Sequence, residues 1–585
     1  MKNNPLSLLL HHLFPFLNWV KDYDRSVFRA DMVAGITVAV VLIPQSMAYA
    51  MLAGLPPIYG LYAGAIAPII AALWGSLRQL ATGPIAIMSL LVLTTLTPMA
   101  EPGSPHFIEL AILLGHIVGI LYLIMGVLRM GHVMAFISHS AVRGFTAAAA
   151  LIIIATQMPN LLGLTVEKHE YILPMLLEIL KGVPSLHAST ALIGVISFAI
   201  IYGLKRIRPA FPASLLALLL TTSAVYFFNL HNSGVRIVGE FPGGLPIFKL
   251  PIFDMDIGFS LIGPAVIIAL VSFAEIYSVG KVISSETGQK VDVNQEFIGQ
   301  GLANIIGSFF QCPPVSGSFS RTAINFSAGA RTGISGVVSG IIVIFALLFL
   351  TPLFTYIPKA ALAALVISAV LLLFHPKEVF ILWKKNHHDG AVAVTVFVLA
   401  LLAKPDYALL IGVMISLMLF LWKTMHPRIV RISKDPVHNM LINADLYNKP
   451  SCPQILHLRS DNAIYFANAE YTVEHILERA DEVETPLKFL LLDCTAIGFI
   501  DITGTDELSI LRQELKTRNI RLVLTGVHIP VMNVFKTSGF WNELSSRGVI
   551  ANKGDAITHL FHDIDHEYCR KICPYSLYTE CSSVK

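Results

Sequence analysis

The chain has 585 residues, of which 55% are hydrophobic and only 14% charged. A soluble protein wets its surface with about a quarter of its residues charged, so one large soluble core is excluded. The formal net charge of +3 is too small for a nucleic-acid binder, and six cysteines are too few for a disulfide framework.

Residues 1–30 mix Lys2, Lys21, Asp22, Asp24 and Arg25 with two short apolar stretches. They lack a small-residue cleavage site and read as an N-terminal cytosolic segment, not a secretory signal. From 31 to 425, apolar windows follow one another near 31–49, 58–76, 84–97, 109–128, 134–156, 188–204, 210–228, 259–281, 294–310, 320–331, 332–354, 357–374, 388–403 and 405–424. Most match the hydrocarbon thickness of a bilayer, which takes about 20 residues of helix. Lys and Arg orient the fourteen spans. With the N-terminus inside, the inner loops hold Arg78, Arg129, Lys205, Arg206, Arg208, Lys281, Lys290, Arg331, Lys377, Lys384 and Lys385. Lys423, Arg428 and Arg431 follow the last span. Lys168, Lys181, Arg236, Lys249, Lys359 and Lys404 fall outside, mostly in long connections where the rule has little force. Both termini are therefore expected in the cytosol of a multi-pass protein of the plasma or inner membrane.

The third and tenth spans are too short to cross alone. One follows Gly83-Pro84 and the other follows Cys312-Pro313-Pro314-Val315-Ser316-Gly317-Ser318. Matching breaks in two halves of seven predict inverted repeats whose broken helices meet at the membrane midplane. A helix that starts there aims unpaired N–H groups and its positive dipole end into the cavity. Two such ends favour an anion. Arg321, opening the tenth span, adds a permanent charge that can fork onto two oxyanion oxygens.

Ionisable groups within spans are functional candidates by default. Glu275 lies well inside the eighth span. A carboxylate beside an anion is costly, so Glu275 is expected to take up a proton and carry it with the substrate. A static ion pair with Arg321 would remove the same cost. His116 in the fourth span reads as a hydrogen-bonded packing residue, and Arg143 as a snorkelling or structural charge.

Beyond about residue 430 the pattern changes. Strand-like runs at 455–458, 489–492 and 522–525 alternate with helix-like runs at 471–480, 506–516 and 530–537. This predicts a small α/β domain over 453–564, reached by a linker over 426–452 containing Pro427, Pro436 and Pro450. Asn468 is the expected cap of its first helix. The tail, 565–585, holds His566, Cys569, Cys573 and Cys581. Its spacing departs from a zinc knuckle, so a flexible tail with ordinary thiols and no metal is expected. Nothing reads as a catalytic triad, a P-loop or a redox centre, and no enzymatic activity is expected.

Several motifs carry a family resemblance. DMVAGITVAVVLIPQSMAYA (31–50), AGLPPIYGLY (53–62), DVNQE (292–296) and GSFSRTAINFSAG (317–329) resemble the SulP anion transporters, known in animals as solute carrier family 26. The resemblance implies an α-helical polytopic membrane protein with fourteen segments in a seven-plus-seven inverted repeat, half-helices in segments 3 and 10 and a cytosolic α/β STAS domain. It also implies a moving core, a gate that forms a homodimer and elevator-type alternating access. Its anion pocket would be lined by Gln45 and Tyr49, by backbone N–H groups near Ala86 and Ile87, and by Ser320 with Arg321. Gln45 and Tyr49 stand four apart and share one helical face.

EIYSVGK (275–281) and the Phe-Ser-Arg-Thr run (319–322) look most like plant-type sulfate/proton symporters. Sodium-coupled bicarbonate members have a Thr four residues after the acid, where this chain has Val279; Ser278 keeps that alternative open. Sulfate uptake with a proton as the coupling ion is the favoured reading. Chloride/bicarbonate/dicarboxylate exchange, an uncoupled channel and a membrane-tethered signalling protein are the others. DCTAIGFIDITG (493–504) resembles the STAS fold of bacterial anti-sigma-factor antagonists, with Thr503 where those proteins carry a phosphorylated Ser. Thr503 is also a good helix cap, and capping is its expected role here. The STAS module could dock a cytosolic regulator or sense a nucleotide.

Overall fold

Length and proline placement decide where the membrane helices start and stop. The structure, a computed structural model, describes residues 14–20, 23–131, 138–166, 172–208, 211–241, 243–252, 254–374, 376–403, 405–435, 440–483, 487–544, 548–550 and 553–584. Lys2, Lys21, Asp22, Lys168, Lys404 and Pro436 lie outside these.

Each expected span falls on a helix. The first half contains α1 (Arg25–Leu52), α2 (Pro57–Trp74), α3 (Ala86–Leu96), α4 (Pro105–Val127), α5 (His139–Leu162), α7 (Ala188–Ile207) and α8 (Ala213–Phe227). The second contains α9 (Met255–Thr287), α10 (Val293–Phe309), α11 (Phe319–Ser327), α12 (Ile334–Phe349), α13 (Lys359–Val370), α15 (His387–Leu402) and α16 (Pro405–Met425). Two further helices, α6 (Ile172–Gly182) and α14 (Pro376–Lys385), occupy stretches read as connections. Among the described residues, seven of the helices are long and apolar enough to cross a membrane by length and composition.

Helix packing carries the repeat. When each span is exchanged with the one seven places away, α4 against α10 becomes α12 against α2, and both pairs are packed. In the same way α1 against α12 maps onto α9 against α4, and α5 against α15 onto α13 against α7. The helices sort into two sets: α1, α2, α4, α9, α10 and α12 pack on one another, as do α5, α7, α8, α13 and α15. Small residues permit the closest approaches. A Cβ on Gly60 would sit 1.9 Å from the Ser46 carbonyl oxygen, and one on Gly144 2.2 Å from that of Ala393.

The two short helices leave a shared crossing. β1 (Thr82–Gly83) pairs antiparallel with β2 (Ser316–Gly317), matching Thr82 with Gly317 and Gly83 with Ser316. Backbone exposed at membrane depth must find partners inside the protein. Ser318 N donates to Ala81 O at 3.0 Å, and Ala81 N to Thr322 Oγ1 at 3.0 Å. On α10, Asn304 acts as a substitute strand edge: its Nδ2 donates to Val315 O and its Oδ1 accepts from Val315 N, both at 2.9 Å. Gln300 Nε2 donates to Thr82 Oγ1 at 2.9 Å.

The C-terminal unit, 417–585, contains a sheet ordered β4-β3-β5-β6-β7-β8. Its strands are β3 (Ile429–Asp435), β4 (Met440–Asn443), β5 (Ile455–Ser460), β6 (Phe489–Asp493), β7 (Arg521–Thr525) and β8 (Val549–Ile550). β5 to β8 run parallel, and β3 is antiparallel to both its neighbours. The period of two divides each strand between faces. Leu456, Leu458, Leu490 and Leu492 join a core with α17 (Ala469–Asp481), α18 (Ile502–Thr517) and α19 (Ile529–Ser538). Ile455, Phe489 and Leu491 join a second core with α20 (Lys553–Phe561), α21 (His566–Lys571) and Tyr578.

Three expectations change here. The stretch read as linker, 426–452, contains β3 and β4, because its prolines flank the strands and do not interrupt them. The tail, 565–585, is folded onto the sheet through buried Cys569 and Tyr578. Asn468 stands at the start of α17, but its Oδ1 accepts from Tyr465 N at 2.9 Å and makes no cap bond to the helix.

Asn304→Ala strands the N–H and C=O of fully buried Val315. Each orphaned group costs about 1–3 kcal/mol, so the variant should melt several degrees lower in detergent. An unchanged melting temperature would remove Asn304 from its place as the keeper of the crossing.

Candidate functional site

The crossing places the starts of α3 and α11 together. Ile85 precedes α3 and provides no side-chain cap, so the N–H groups of its first turn, those of Ala86 and Ile87 among them, are left uncapped. Both residues are buried. α11 is capped by Ser318, whose Oγ accepts from Arg321 N at 3.4 Å. Ser320, half-buried, stands with its Oγ 3.4 Å from that of Ser318.

Arg321 is fully buried, 0% exposed, and has one side-chain hydrogen bond, from Nη1 to Gln45 Oε1 at 3.2 Å. Its Nε and Nη2 have no partner among the described residues. Those two nitrogens share one edge of the guanidinium and donate in parallel, which is the fork that matches two oxygens of an oxyanion. Gln45 spends its carbonyl on Arg321 and keeps its amide N–H groups as donors. Tyr49, one turn later on α1, is also buried. Of the sequence-predicted pocket residues, Gln45 and Tyr49 of α1 are thus brought to Arg321 of α11, the first in contact and the second near enough to feel its charge.

Gly83 makes room for the charge. A Cβ there would lie 3.3 Å from Arg321 Nη2 and 3.2 Å from Leu42 Cδ1, at a φ of +154°. Gly83 entered the sequence reading only as a helix breaker. Its second duty, a flat backbone against the guanidinium, has no signal in the local pattern.

Glu275 lies half-buried on α9, where Arg321 and Tyr49 are near enough to feel its charge. It makes no ion pair with Arg321, so the static pair that would have silenced both charges is absent among the described residues. His116 is a packing histidine: Nδ1 lies 2.8 Å from Ser308 Oγ, and the ring stands edge-on to Phe309. Arg143 is exposed and pairs with Glu378 at 3.5 Å.

Sequence reasoning left the buried polar residues of α10 without a role. Besides Asn304 and Gln300, buried Glu296 accepts from Ser76 N at 2.9 Å and Leu77 N at 3.0 Å, tying the approach to β1 onto α10. The signal available was the run of Glu296, Gln300 and Asn304 at helical spacing inside an apolar span.

Thr503 is corrected. Asp501, not Thr503, caps α18, its Oδ1 accepting from Gly504 N at 2.8 Å. Thr503 sits in the first turn with its side chain exposed. In the tail, His566 Nε2 is held by Phe561 O at 2.8 Å, and among the described residues no three His, Cys, Asp or Glu side chains stand at metal-binding spacing.

Comparison with known proteins settles the family. Residues 28–396 match the sulfate permease family, and residues 445–556 match the STAS domain. The chain belongs to the sulfate permease family. It is an anion transporter of that family and an integral, multi-pass membrane protein. The chloroplastic sulfate transporter 4.1 of Arabidopsis thaliana is 35% identical over 565 residues, covering 93% of this chain and 82% of its own. High affinity sulfate transporter 2 of Stylosanthes hamata is 32% identical, covering 94% and 86%. The murine solute carrier 26 family member A9 anion transporter, solved in an inward-facing state, has a TM-score of 0.87 at 22% identity and covers 95% of each chain. That likeness establishes the transporter's fold.

Arg321→Ala should abolish anion binding measured by isothermal calorimetry in detergent; near-normal affinity would mean that the helix ends suffice. Gly83→Ala should leave the fold intact and weaken binding by about tenfold, or 1.4 kcal/mol. Equal affinity in that variant would separate Gly83 from the guanidinium.

Proposed function

We propose that the transporter takes up sulfate together with a proton, as a secondary active carrier. The observation that carries this reading is the buried Arg321 with its Nε/Nη2 edge open between two helix N-termini. A buried charge without a counter-ion is expensive, and a tetrahedral dianion answers it with oxygens for the fork, for the Gln45 amide and for the N–H groups of Ala86 and Ile87. The names of the plant relatives point to the same anion.

Glu275 is the coupling group in this reading. Its carboxylate would repel an arriving dianion, and a proton bound there removes that repulsion. Proton and anion then favour one another's presence, which is what symport requires. Proton coupling is favoured over sodium by Val279, whose apolar side chain offers no oxygen ligand.

The two helix sets, which meet where α1 packs on α13 and α8, support an elevator-type motion in which the set bearing the pocket slides against the other within a homodimer. The loop charges support cytosolic termini and a plasma or inner membrane location. For the STAS domain the reading is regulatory: Thr503, exposed at the start of α18, presents a hydroxyl where a phosphate would meet a helix N-terminus and where a cytosolic regulator could dock.

In proteoliposomes, labelled sulfate uptake should rise when the outside is made acidic. Glu275→Gln should retain sulfate exchange and lose that stimulation. Uptake indifferent to the proton gradient, together with robust sodium-driven bicarbonate uptake, would overturn both the substrate and the coupling ion.

A further inference from the structure

Four of the chain's six cysteines meet at one place. Cys452, just before β5, and Cys569, Cys573 and Cys581 of the tail line a small cavity of about 20 Å³, together with Phe561 and Tyr578. None of the four is in a disulfide. The cavity wall is almost wholly apolar, and all four thiol residues contribute to it. Over 100 residues of chain separate Cys452 from the other three, which is why the tail looked like ordinary thiols in the sequence.

The four differ in readiness. Cys569 is buried and its Sγ accepts from Gln454 Nε2 at 3.3 Å. Cys452, Cys573 and Cys581 are each part-exposed, so a small oxidant can reach them. The start of the tail is already fastened: Gln454 donates to Asp565 O at 3.0 Å and accepts from Asp565 N at 2.8 Å. Past Cys569, apolar contact holds Tyr578, Thr558 donates to Glu580 at 2.5 Å, and the thiol cavity closes the rest. A metal is the less suitable occupant, since no three of these side chains stand at metal spacing and His566 is turned to Phe561 O.

We propose that this cluster is a peroxide-responsive thiol switch, in which Cys452 and a tail thiol, Cys573 or Cys581, form a reversible disulfide that staples the tail to the sheet. The peroxide first oxidises the tail thiol to a sulfenic acid, and one water leaves. The Cys452 sulfur then attacks that sulfur, a second water leaves, and one S–S bond replaces two S–H bonds. Two electrons and two hydrogens pass from the protein to the peroxide. Burial pushes the Cys452 thiol up to about 11, which keeps its thiolate scarce and makes a tail thiol the first group oxidised.

The test uses the full-length transporter in lipid nanodiscs, treated with dilute hydrogen peroxide, alkylated, and digested with trypsin without reductant. Cleavage after Lys571 releases residues 572–585, which contain Cys573 and Cys581. The expected result is that this peptide stays joined to the Cys452 peptide, with loss of two hydrogens in mass, and separates on adding dithiothreitol. Cys452→Ser should lose the link while Cys569 stays as protected from alkylation as before. Should that variant fold poorly, Cys573→Ser and Cys581→Ser, made singly, identify the partner: one of them must lose the link. Unlinked thiols after peroxide, a bond confined to Cys573 and Cys581, or stoichiometric zinc co-purifying with all four thiols would each overturn the proposal.

Discussion

A guanidinium held at the middle of a membrane protein with no carboxylate beside it is the constraint to which the transport unit answers. Arg321 is shielded from water on every side and has one neutral partner, the Gln45 carbonyl. Desolvating such a charge is costly enough that the surroundings must offset it or a ligand must. Glu275 is near enough for its charge to be felt but forms no ion pair with Arg321, and the backbone of Gly83 lies flat against the guanidinium. Burial raises the cost of that charge, the Gln45 carbonyl and the field of Glu275 offset part of it, and in the proposed reading an anion supplies the rest. In that reading the site withholds a permanent counter-charge.

Withholding that charge demands exact placement of backbone, and here the uncharged polar residues take over. β1 and β2 contribute only two residue pairs, far too little pairing to stand alone. Asn304, Gln300 and Thr322 complete the hydrogen bonding that a longer sheet would have provided. Glu296 extends the same support toward the membrane surface. These side chains touch no substrate, yet the direction in which Ala86, Ile87 and Arg321 face depends on them.

Much of this was legible in the sequence because bilayer physics is blunt. Apolar length marked every span, Gly83-Pro84 and Pro313-Pro314 marked the breaks, and Arg321 stood out as a charge in an apolar setting. Short-range signals served less well where two residues compete for one duty. Asp501 and Thr503 are both good caps two residues apart, and only the actual start of α18 chooses between them. Prolines at 427, 436 and 450 concealed β3 and β4, because a proline beside a strand and one within it look alike in sequence. The tail was misread for a different reason. Its apolar residues lack a helical or strand period, and they are buried only because the sheet offers a second face. Contacts across long separations, Cys452 with the tail and Gly83 with Arg321, leave no local trace.

The pairing at the crossing also sets an order of events during synthesis. Ala81 waits for Thr322, 241 residues later, before its N–H finds a partner. A half-made chain can insert α1 and α2 and pack α3 on α1, α4 and α5, but the strand pairing that precedes α3 waits for the second repeat. Contacts so distant in sequence form late. The crossing is accordingly among the last parts of the transporter to exist, and a nascent chain that stalls before α11 carries neither Arg321 nor the paired strands. An unfinished copy lodged in the membrane therefore has neither the paired backbone nor the buried guanidinium, a consequence of splitting one crossing across both repeats.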